Sequence, residues 1–289
     1  MFRKAIVGTD FSRPSSVVLD YLPALRYIGL KHVVLAHVES LVHMPGYDPM
    51  LLPAALKALA AEAEKIREGG FEVETKLDHG SPAARLADIA CDYGADVIVV
   101  GSHGRSLLGR ILLGSTSMSL LQQSRVPVLI VRLALCETDG GISCEVRGDR
   151  SSRHILFPTD FSDAATAAFE RVKDLLVGRA SRVTLLHVHH RRGEPAEDLE
   201  ASDQQVSDDR VRLNQMADQL AEMGAAEIET VVTEGLPAAG ITTYAREHDV
   251  AMIAMATQGL GAMQELVLGS VALKVARISP VPLLMVPHR

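Results

Sequence analysis

The sequence predicts an α/β protein of two tandem, doubly wound domains, each with a five-stranded parallel sheet of strand order 3-2-1-4-5. Three observations support this prediction. Short apolar runs alternate with longer amphipathic segments in both halves of the chain, as in successive βαβ units. The composition is 47% hydrophobic but only 4% aromatic, which suits buried parallel strands. The two halves also repeat each other, which indicates a duplicated domain.

The repeat shows as constant offsets between matching segments. Gly8-Thr-Asp10-Phe-Ser12 matches Pro158-Thr-Asp160-Phe-Ser162 at an offset of 150 residues. Further along, Gly101-Ser-His-Gly104 matches Ala256-Thr-Gln-Gly259 at an offset of 155. One insertion of five residues between two constant offsets is the pattern of a duplicated domain. We therefore expect domains at residues 1–132 and 153–289, joined by a linker at 133–152 that is rich in glycine, charged and hydroxyl residues.

Each element of the first domain is predicted from its local pattern. Short apolar runs bounded by turn residues predict strands, and longer segments with apolar residues at helical spacing predict helices. Proline is tolerated at the start of a helix, where its missing N–H has no partner. The predicted order is strand Lys4–Thr9, helix Ser15–Ile28, strand His32–Val38, helix Met50–Glu68, strand Phe71–Leu77, helix Pro82–Tyr93, strand Val97–Val100, helix Ser115–Gln123 and strand Val128–Val131.

The second domain repeats this order with one polar insertion. The stretch Arg191–Gln205 is predicted as a mobile surface loop, because it is polar and acidic. The other elements follow the criteria used for the first domain. They are strand His154–Pro158, helix Ala164–Val177, strand Val183–Val188, helix Asp208–Met223, strand Glu227–Thr233, helix Pro237–Glu247, strand Val250–Met255, helix Ser270–Ile278 and strand Leu283–Val286.

Charge and hydropathy argue against two classes of partner. The formal net charge is −7, whereas proteins that bind the DNA or RNA backbone need a basic surface. No apolar run reaches the roughly 18 to 20 residues that span a bilayer. The N-terminal Met-Phe-Arg-Lys-Ala-Ile-Val also lacks the zones of a signal peptide. We therefore expect a cytoplasmic protein without a nucleic-acid partner or a membrane span.

The cysteines and histidines of the sequence do not predict a metal site. We expect Cys91 to be a buried thiol within a helix, and the other two cysteines lack the close pairing of zinc ligands. His37 and His187 lie in apolar strands and are interpreted as structural histidines of the core or of a crevice wall. The run His189-His190-Arg191-Arg192 is interpreted as a solvated turn.

A glycine-rich pattern after the fourth strand is the strongest functional signal. Gly101 and Gly104 follow this strand, and nine residues later Gly114-Ser115-Thr116 opens a helix. Glycine lets backbone N–H groups approach a ligand closely, and a helix N-terminus offers unpaired N–H groups at the positive end of its dipole. The pattern lacks the ending of a Walker A loop and does not follow strand 1, as a dinucleotide fingerprint would. It predicts a cradle for an anion, with phosphate as the favoured candidate.

The predicted strand order brings an acidic residue to the same place. Strands 1 and 4 are neighbours in a 3-2-1-4-5 sheet, and ligands bind beyond their carboxyl ends. Asp10 follows Thr9 at the end of strand 1 and is expected beside Gly101, although 91 positions separate the two. Its carboxylate could accept hydrogen bonds from ribose hydroxyls or a base amine. Alternatively, Asp10 caps the following helix or forms an Asx-turn.

On these residues, the chain resembles a tandem universal stress protein. The nucleotide-binding form of that family carries Gly-x2-Gly-x9-Gly-Ser/Thr, an acidic residue after strand 1, and a valine that frames adenine at the end of strand 2; all three are present here. The resemblance implies a Rossmann-like fold, dimer-like pairing of domains, ATP or AMP as ligand with or without Mg2+, and a role in stress adaptation. The expected binding residues are Thr9, Asp10, Val38, Gly101, His103, Gly104, Arg105, Gly114, Ser115 and Thr116.

The second domain retains only part of this pattern. Cations are lost and a carboxylate is gained near the expected phosphate, and an added Cβ hinders close backbone approach. We therefore expect the second site to be the weaker one. Its departures are Ala256, Gln258, Leu260 and Glu265 in the places of Gly101, His103, Arg105 and Arg110. The residues that it retains are Asp160, Val188, Gly259, Gly269 and Ser270.

Three functions remain open from the sequence. The favoured one is a regulator whose conformation or choice of partner follows ATP or AMP occupancy. The second is a slow ATPase, in which Asp10 helps to hold Mg2+ and Arg105 stabilises charge. The third is a scaffold that dimerises without nucleotide. Phosphoryl transfer needs a held metal and a positioned nucleophile, and the sequence shows no paired carboxylates by the loop and no P-loop lysine, so we assign no catalytic residue.

The last strands of the two halves lead to a prediction about assembly. Val126–Val131 and Val281–Val286 are fifth strands and hence sheet edges, and an exposed apolar edge is normally paired or covered. We predict that the two edges pair within one chain in a pseudo-twofold arrangement, unless each is covered by its own helix. Halves separated near residue 140 should then dimerise with themselves or with each other in analytical ultracentrifugation. Two monomeric halves at high concentration would contradict this pairing.

Overall fold

The computed structural model describes residues 2–40, 51–103, 113–138, 141–148, 153–179, 182–189, 199–225, 227–260 and 268–288. The chain divides into two compact units, Met1–Arg147 and Gly148–His288. Both units have the predicted doubly wound α/β architecture. None of the described helices is long and apolar enough to cross a membrane.

The first unit places its strands and helices in the predicted order. Its strands are β1 (Lys4–Thr9), β2 (His32–Glu39), β3 (Glu72–His79), β4 (Val97–Gly101) and β5 (Val128–Val131). Its helices are α1 (Arg13–Tyr21), α2 (Leu51–Glu68), α3 (Pro82–Asp92) and α4 (Ser115–Gln123), with a 3-10 helix at Leu22–Ile28. The parallel strands run in the order β3-β2-β1-β4-β5, which confirms the predicted topology. The apolar runs of β1, β2, β4 and β5 are buried because helices cover the sheet, whereas β3 at the sheet edge is partly exposed.

The first predicted helix, Ser15–Ile28, is two elements in the structure. Ser12 caps α1 through its side chain, which accepts a hydrogen bond from the Ser15 N–H. Pro23 lies in the first turn of the 3-10 helix, where it cannot donate a hydrogen bond to a preceding turn. The α-helix therefore ends at Tyr21 and the chain continues in the tighter 3-10 geometry.

The segment that we interpret as the linker contains regular structure. β6 (Leu133–Thr138) and β7 (Gly141–Val146) pair antiparallel, and β7 packs against α1. Leu133 and Cys144 are buried, so apolar residues attach this hairpin to the first unit. The parallel βα pattern of the first unit therefore ends at β5 and is followed by an antiparallel hairpin.

The second unit repeats the fold of the first. Its strands are β8 (His154–Pro158), β9 (Arg182–His189), β10 (Ile228–Glu234), β11 (Met252–Ala256) and β12 (Leu283–Val286). Its helices are α5 (Asp163–Arg179), α6 (Leu199–Glu222), α7 (Pro237–Glu247) and α8 (Ser270–Ile278). The strand order is β10-β9-β8-β11-β12, equivalent to 3-2-1-4-5.

Two expectations about individual segments are wrong. The predicted loop Arg191–Gln205 is helical from Leu199 onward, because its glutamate, alanine and glutamine residues favour a helix even without an apolar stripe; residues 190–198 lie outside the described residues. Cys91 is exposed although it lies on α3. The buried face of that helix includes Leu86, Ile89 and Ala90, and the next residue, a hundred degrees further round the helix, faces solvent.

Candidate functional site

The candidate site of the first unit lies where β1 and β4 end side by side. The two strands pair in parallel, with Ala5 opposite Val97 and Val7 opposite Val99. Their carboxyl ends therefore reach the same edge of the sheet, at the point where the winding of the chain reverses. This is the switch point at which open α/β sheets bind ligands. It brings the Thr9-Asp10 turn and the Gly101 loop together, as the strand order predicts.

The turn after β1 is held by side chains of its own sequence. The Asp10 Oδ1 accepts hydrogen bonds from the Ser12 N–H at 3.0 Å and from the Ser15 hydroxyl at 2.5 Å. The Phe11 N–H donates to the Thr9 hydroxyl, and the Phe11 φ is +60°, a left-handed conformation that is rare for an aromatic residue. The Asx-turn that we considered as the alternative role of Asp10 is thus present.

The loop that leaves β4 is closed at its base by backbone and side-chain hydrogen bonds. The Gly114 N–H donates to the Ser102 carbonyl at 2.7 Å, and the Ser117 hydroxyl donates to the Gly101 carbonyl at 2.7 Å. Gly114 is the N-cap of α4, which has no side-chain cap and no acidic residue in its first turn. The amides of Ser115 and Thr116 therefore lie at a helix N-terminus without a capping carboxylate.

Packing explains the first glycine of the loop. A Cβ on Gly101 would lie 3.0 Å from the His103 carbonyl oxygen and 3.1 Å from a Val18 methyl. A side chain at position 101 would crowd the following loop and α1, so glycine is needed here for packing. This role differs from the one that we predict from the sequence, which is to let a ligand approach the backbone. At Gly114 the nearest atom, the Ser102 carbonyl oxygen, would lie at an ordinary 3.4 Å.

The other predicted residues lie around this edge. His103 is half-buried and its Nδ1 is 2.9 Å from the Ser102 hydroxyl, which also accepts the Leu133 N–H. Val38 is half-buried near the end of β2, beside Asp78 of β3. Gly104, Arg105 and Arg110 lie outside the described residues, as does Glu265 of the second unit.

Two charged residues at this edge are not predicted from the sequence. Burial raises the pKa of the Glu62 carboxyl. The hydrogen bond with Thr9 opposes this rise, and the charge of Asp10 adds to it. One Glu62 oxygen is buried without a hydrogen-bond partner among the described residues.

The second charged residue is Arg132. Burial and nearby Arg147 lower the pKa of Arg132 to about 10, so it remains charged at neutral pH. Arg132 follows β5, next to the Val131 carbonyl that accepts the Ser102 N–H.

In the second unit, hydrogen bonds connect the turn after β8 with the loop after β11 at the corresponding edge. Asp160 accepts the Ser162 N–H at 3.1 Å through Oδ1 and the Leu260 N–H at 2.8 Å through Oδ2. A Cβ on Gly259 would lie 2.2 Å from the same Oδ2, so the carboxylate lies directly against the loop. Gly269 is again an N-cap without a side-chain partner, before Ser270. Asp160, Gly259 and Gly269 are thus close together, whereas Val188 is buried against Gly240 of α7; both oxygens of Asp160 are already hydrogen-bonded.

His37 and His187 are hydrogen-bonded to the backbone, and the interpretation of a third histidine needs a correction. The Nδ1 atoms of His37 and His187 lie 2.8 Å from the carbonyl oxygens of Thr9 and Thr159. His189, however, belongs to β9 and is buried, so the interpretation as a solvated turn is wrong for this residue. The period of two along a strand places it on the same face as His187. Residues 190–192 lie outside the described residues.

Comparison with known proteins gives a consistent result. The model of the universal stress protein family matches residues 1–132 and 151–287. The universal stress protein MJ0577 of Methanocaldococcus jannaschii is 30% identical over 155 residues, which cover 46% of this chain and 96% of that protein. The crystal structure of a universal stress protein from Archaeoglobus fulgidus superposes with a TM-score of 0.69 at 25% identity, and covers 99% of this chain and 97% of the other.

One structural relative carries a ligand. It is a universal stress protein solved in complex with cAMP, and its sequence is 26% identical to this chain. The match covers 45% of this chain and 97% of that protein, with a TM-score of 0.36.

Substitution of Glu62 tests the electrostatics of this edge. Folding raises the pKa of the Glu62 carboxyl above its ordinary value of 4.5. At a pH above 4.5, ionisation of this carboxyl therefore disfavours the folded state. Glu62→Gln should therefore raise the free energy of unfolding at pH 7, and the gain should vanish as the pH falls below 4.5. Urea denaturation across this pH range measures the effect. Glu68→Gln, at an exposed position of the same helix, should show no such gain; a pH-independent Glu62→Gln effect would contradict the assignment.

Proposed function

The chain belongs to the universal stress protein family and carries two such domains in tandem, and on this basis we propose that its first domain is a regulatory site for an adenine nucleotide, ATP or AMP. The observation that carries the proposal is the juxtaposition of Asp10 with the uncapped N-terminus of α4 at the switch point of the sheet. A helix N-terminus without a capping carboxylate favours a phosphate. The neighbouring carboxylate offers an acceptor for ribose or base groups.

Each described residue has a definite role in this proposal. The Ser115 and Thr116 amides bind the phosphate, because α4 has no acidic residue in its first turn. The Asp10 carboxylate, whose Oδ1 holds the turn, is the acceptor proposed for ribose or base groups of the ligand. Val38 lines the base side, charged Arg132 adds positive potential near the loop, and the His103 ring lies at the base of the loop beside Ser102. Gly104 and Arg105 complete the set from the sequence pattern.

A slow ATPase is the second candidate, and one observation favours it. Asp10 and Glu62 are close enough for the charge of one to raise the pKa of the other, and carboxylate oxygens are the protein ligands that Mg2+ prefers. Release of phosphate from ATP with Mg2+, measured for the wild type and for Glu62→Gln, distinguishes the two functions. Turnover that is lost in the variant would support the ATPase; binding without turnover would support the regulator.

The two domains are proposed to differ in affinity. In the second domain both Asp160 oxygens accept backbone N–H groups, and one of them contacts the loop itself. A ligand would have to displace the hydrogen bond from the Leu260 amide. The position after β12 that corresponds to Arg132 is Pro287, so the buried cation of the first domain has no counterpart there. The loss of this cation acts in the same direction as the loop substitutions.

Valine substitutions at the two N-cap glycines test the site. Gly114 (φ −66°, ψ 154°) and Gly269 (φ −68°, ψ 154°) have the same extended conformation, which valine favours, so both variants should fold. Gly114→Val places methyl groups beside the amides proposed to bind phosphate and should abolish ATP and AMP binding in calorimetric titration. Gly269→Val is the matched control and should retain the wild-type affinity.

Two results would contradict this assignment. Gly114→Val with unchanged affinity would exclude the α4 N-terminus as the phosphate site. Equal losses in both variants would show that the two domains share the binding. Circular dichroism of each variant separates either result from a failure to fold. Titration of AMP, ATP and cAMP in parallel identifies the preferred nucleotide.

The stoichiometry of binding tests the difference between domains. We expect one tight ATP site per chain, because an arginine–phosphate hydrogen bond contributes roughly 1.5 to 3 kcal/mol and its loss lowers affinity about tenfold to a hundredfold. Asp10→Asn should weaken this site, and Asp160→Asn should leave it unchanged. Equilibrium dialysis with labelled ATP gives the number of sites. Two equivalent sites, or a single site that is lost in Asp160→Asn, would refute the proposed asymmetry.

A further inference from the structure

Two histidines and one aspartate of the second domain converge on a common point away from its glycine loop. His187 and His189 lie on β9 and Asp209 lies on α6, and one ligand atom of each lies within 4.8 Å of the others. The Asp209 Oδ2 is 3.2 Å from the His187 Nε2 and 3.4 Å from the His189 Nδ1. We propose that these three residues hold a divalent transition-metal ion with the chemistry of Zn2+.

Secondary structure places the three groups together. Residues two apart on a strand project from the same face of the sheet, which aligns His187 with His189. α6 packs on β9 and β10 through a face that includes fully buried Leu213 and Leu220. Asp209 lies one turn before Leu213, on the same face of the helix. The cluster is thus held by two packed elements, and all three side chains are at least four-fifths buried.

Hydrogen bonding orients the first histidine as metal ligands are oriented. The His187 Nδ1 is 2.8 Å from the Thr159 carbonyl oxygen, which can only accept, so Nδ1 carries the hydrogen. Nε2 is then the ring atom that faces the Asp209 carboxylate, and a metal ion between the two would bind both. Metal-bound histidines donate their other N–H to a carbonyl or carboxylate in this way.

The two distances from Asp209 fit a small four-coordinate ion. Ligands at 2.0 to 2.1 Å from a tetrahedral Zn2+ lie about 3.3 to 3.4 Å from one another, close to the two separations from Asp209. Two imidazoles and one carboxylate are typical of Zn2+ and related ions, whereas Mg2+ prefers oxygen ligands. Three protein ligands leave one coordination position for water or another small ligand.

The first domain provides an internal comparison. The buried pair Leu59 and Ile66 on α2 has the same seven-residue spacing as Leu213 and Leu220 on α6. Four residues before the first residue of its pair, the first domain has Ala55, and at the same place the second domain has Asp209.

The strands differ at the corresponding position as well. Glu39 stands where the second domain has His189, at the offset of 150. The first domain therefore has the strand histidine, His37, but not the ligand set. The metal site is a property of the second domain and is independent of the nucleotide site proposed in the first.

Metal titration of the full-length protein tests the proposal. Chelator-stripped protein should bind one Zn2+ per chain in competition with a chromophoric chelator, and Co2+ should give the intense visible absorption of a four-coordinate ion. Asp209→Asn and His189→Gln should each weaken Zn2+ binding at least about tenfold, since even indirect partners of a metal contribute that much. Zn2+ should raise the melting temperature of the wild type but not of these variants, because the ion binds the folded state.

Matched controls separate this site from adventitious binding. Glu39→Gln changes the corresponding strand position of the first domain, and His190→Gln removes a neighbouring imidazole outside the described residues; both should bind Zn2+ as the wild type does. Absence of Zn2+ binding by the wild type would overturn the proposal. Unchanged affinity in Asp209→Asn and His189→Gln would also overturn it, whatever the stoichiometry. The wild-type Co2+ spectrum requires no variant to fold.

Discussion

The parallel pairing of the first and fourth strands is the constraint on which the candidate nucleotide site depends. β1 and β4 are neighbours although about ninety residues separate them, because the chain first winds to one side of the sheet and then to the other. This reversal leaves a crevice between the connections at the carboxyl ends of the two strands. Asp10 and the N-terminus of α4 reach the crevice by different routes along the chain, so neither element forms the site alone.

The turn after the first strand is the most constant part of this edge. Phe11 and Phe161 have φ values of +60° and +58°, and their rings lie against those of His37 and His187 in a tilted arrangement, at centroid distances of 4.2 and 4.8 Å. A left-handed backbone at such a residue disfavours folding by roughly 1 to 3 kcal/mol. The ring contact and the histidine–carbonyl bond offset this strain in both domains. The duplication thus retained a strained scaffold while the surrounding side chains changed.

Those changes give the two domains different chemistry on one backbone plan. The first has Glu62 beside Asp10 and a buried Arg132 near the loop. The second binds its own Asp160 to the loop amide and places Asp209 beside two strand histidines. Because fold does not fix function, the nucleotide and metal proposals depend on these side chains. They can be tested separately, since each has its own domain and its own ligand.

The sequence by itself determined the duplication, the order of the strands and helices of the two parallel sheets, and the place of Asp10 and Gly101 at the ends of their strands, because apolar periodicity and turn residues act locally and recur at constant offsets. It did not determine which face of a helix is buried, and hence placed Cys91 in the core; nor did it predict Glu62, Arg132 or the proximity of His189 to Asp209. Tertiary structure decided these points, since a charge or a coordination site depends on neighbours from distant elements, and local patterns do not contain that distance.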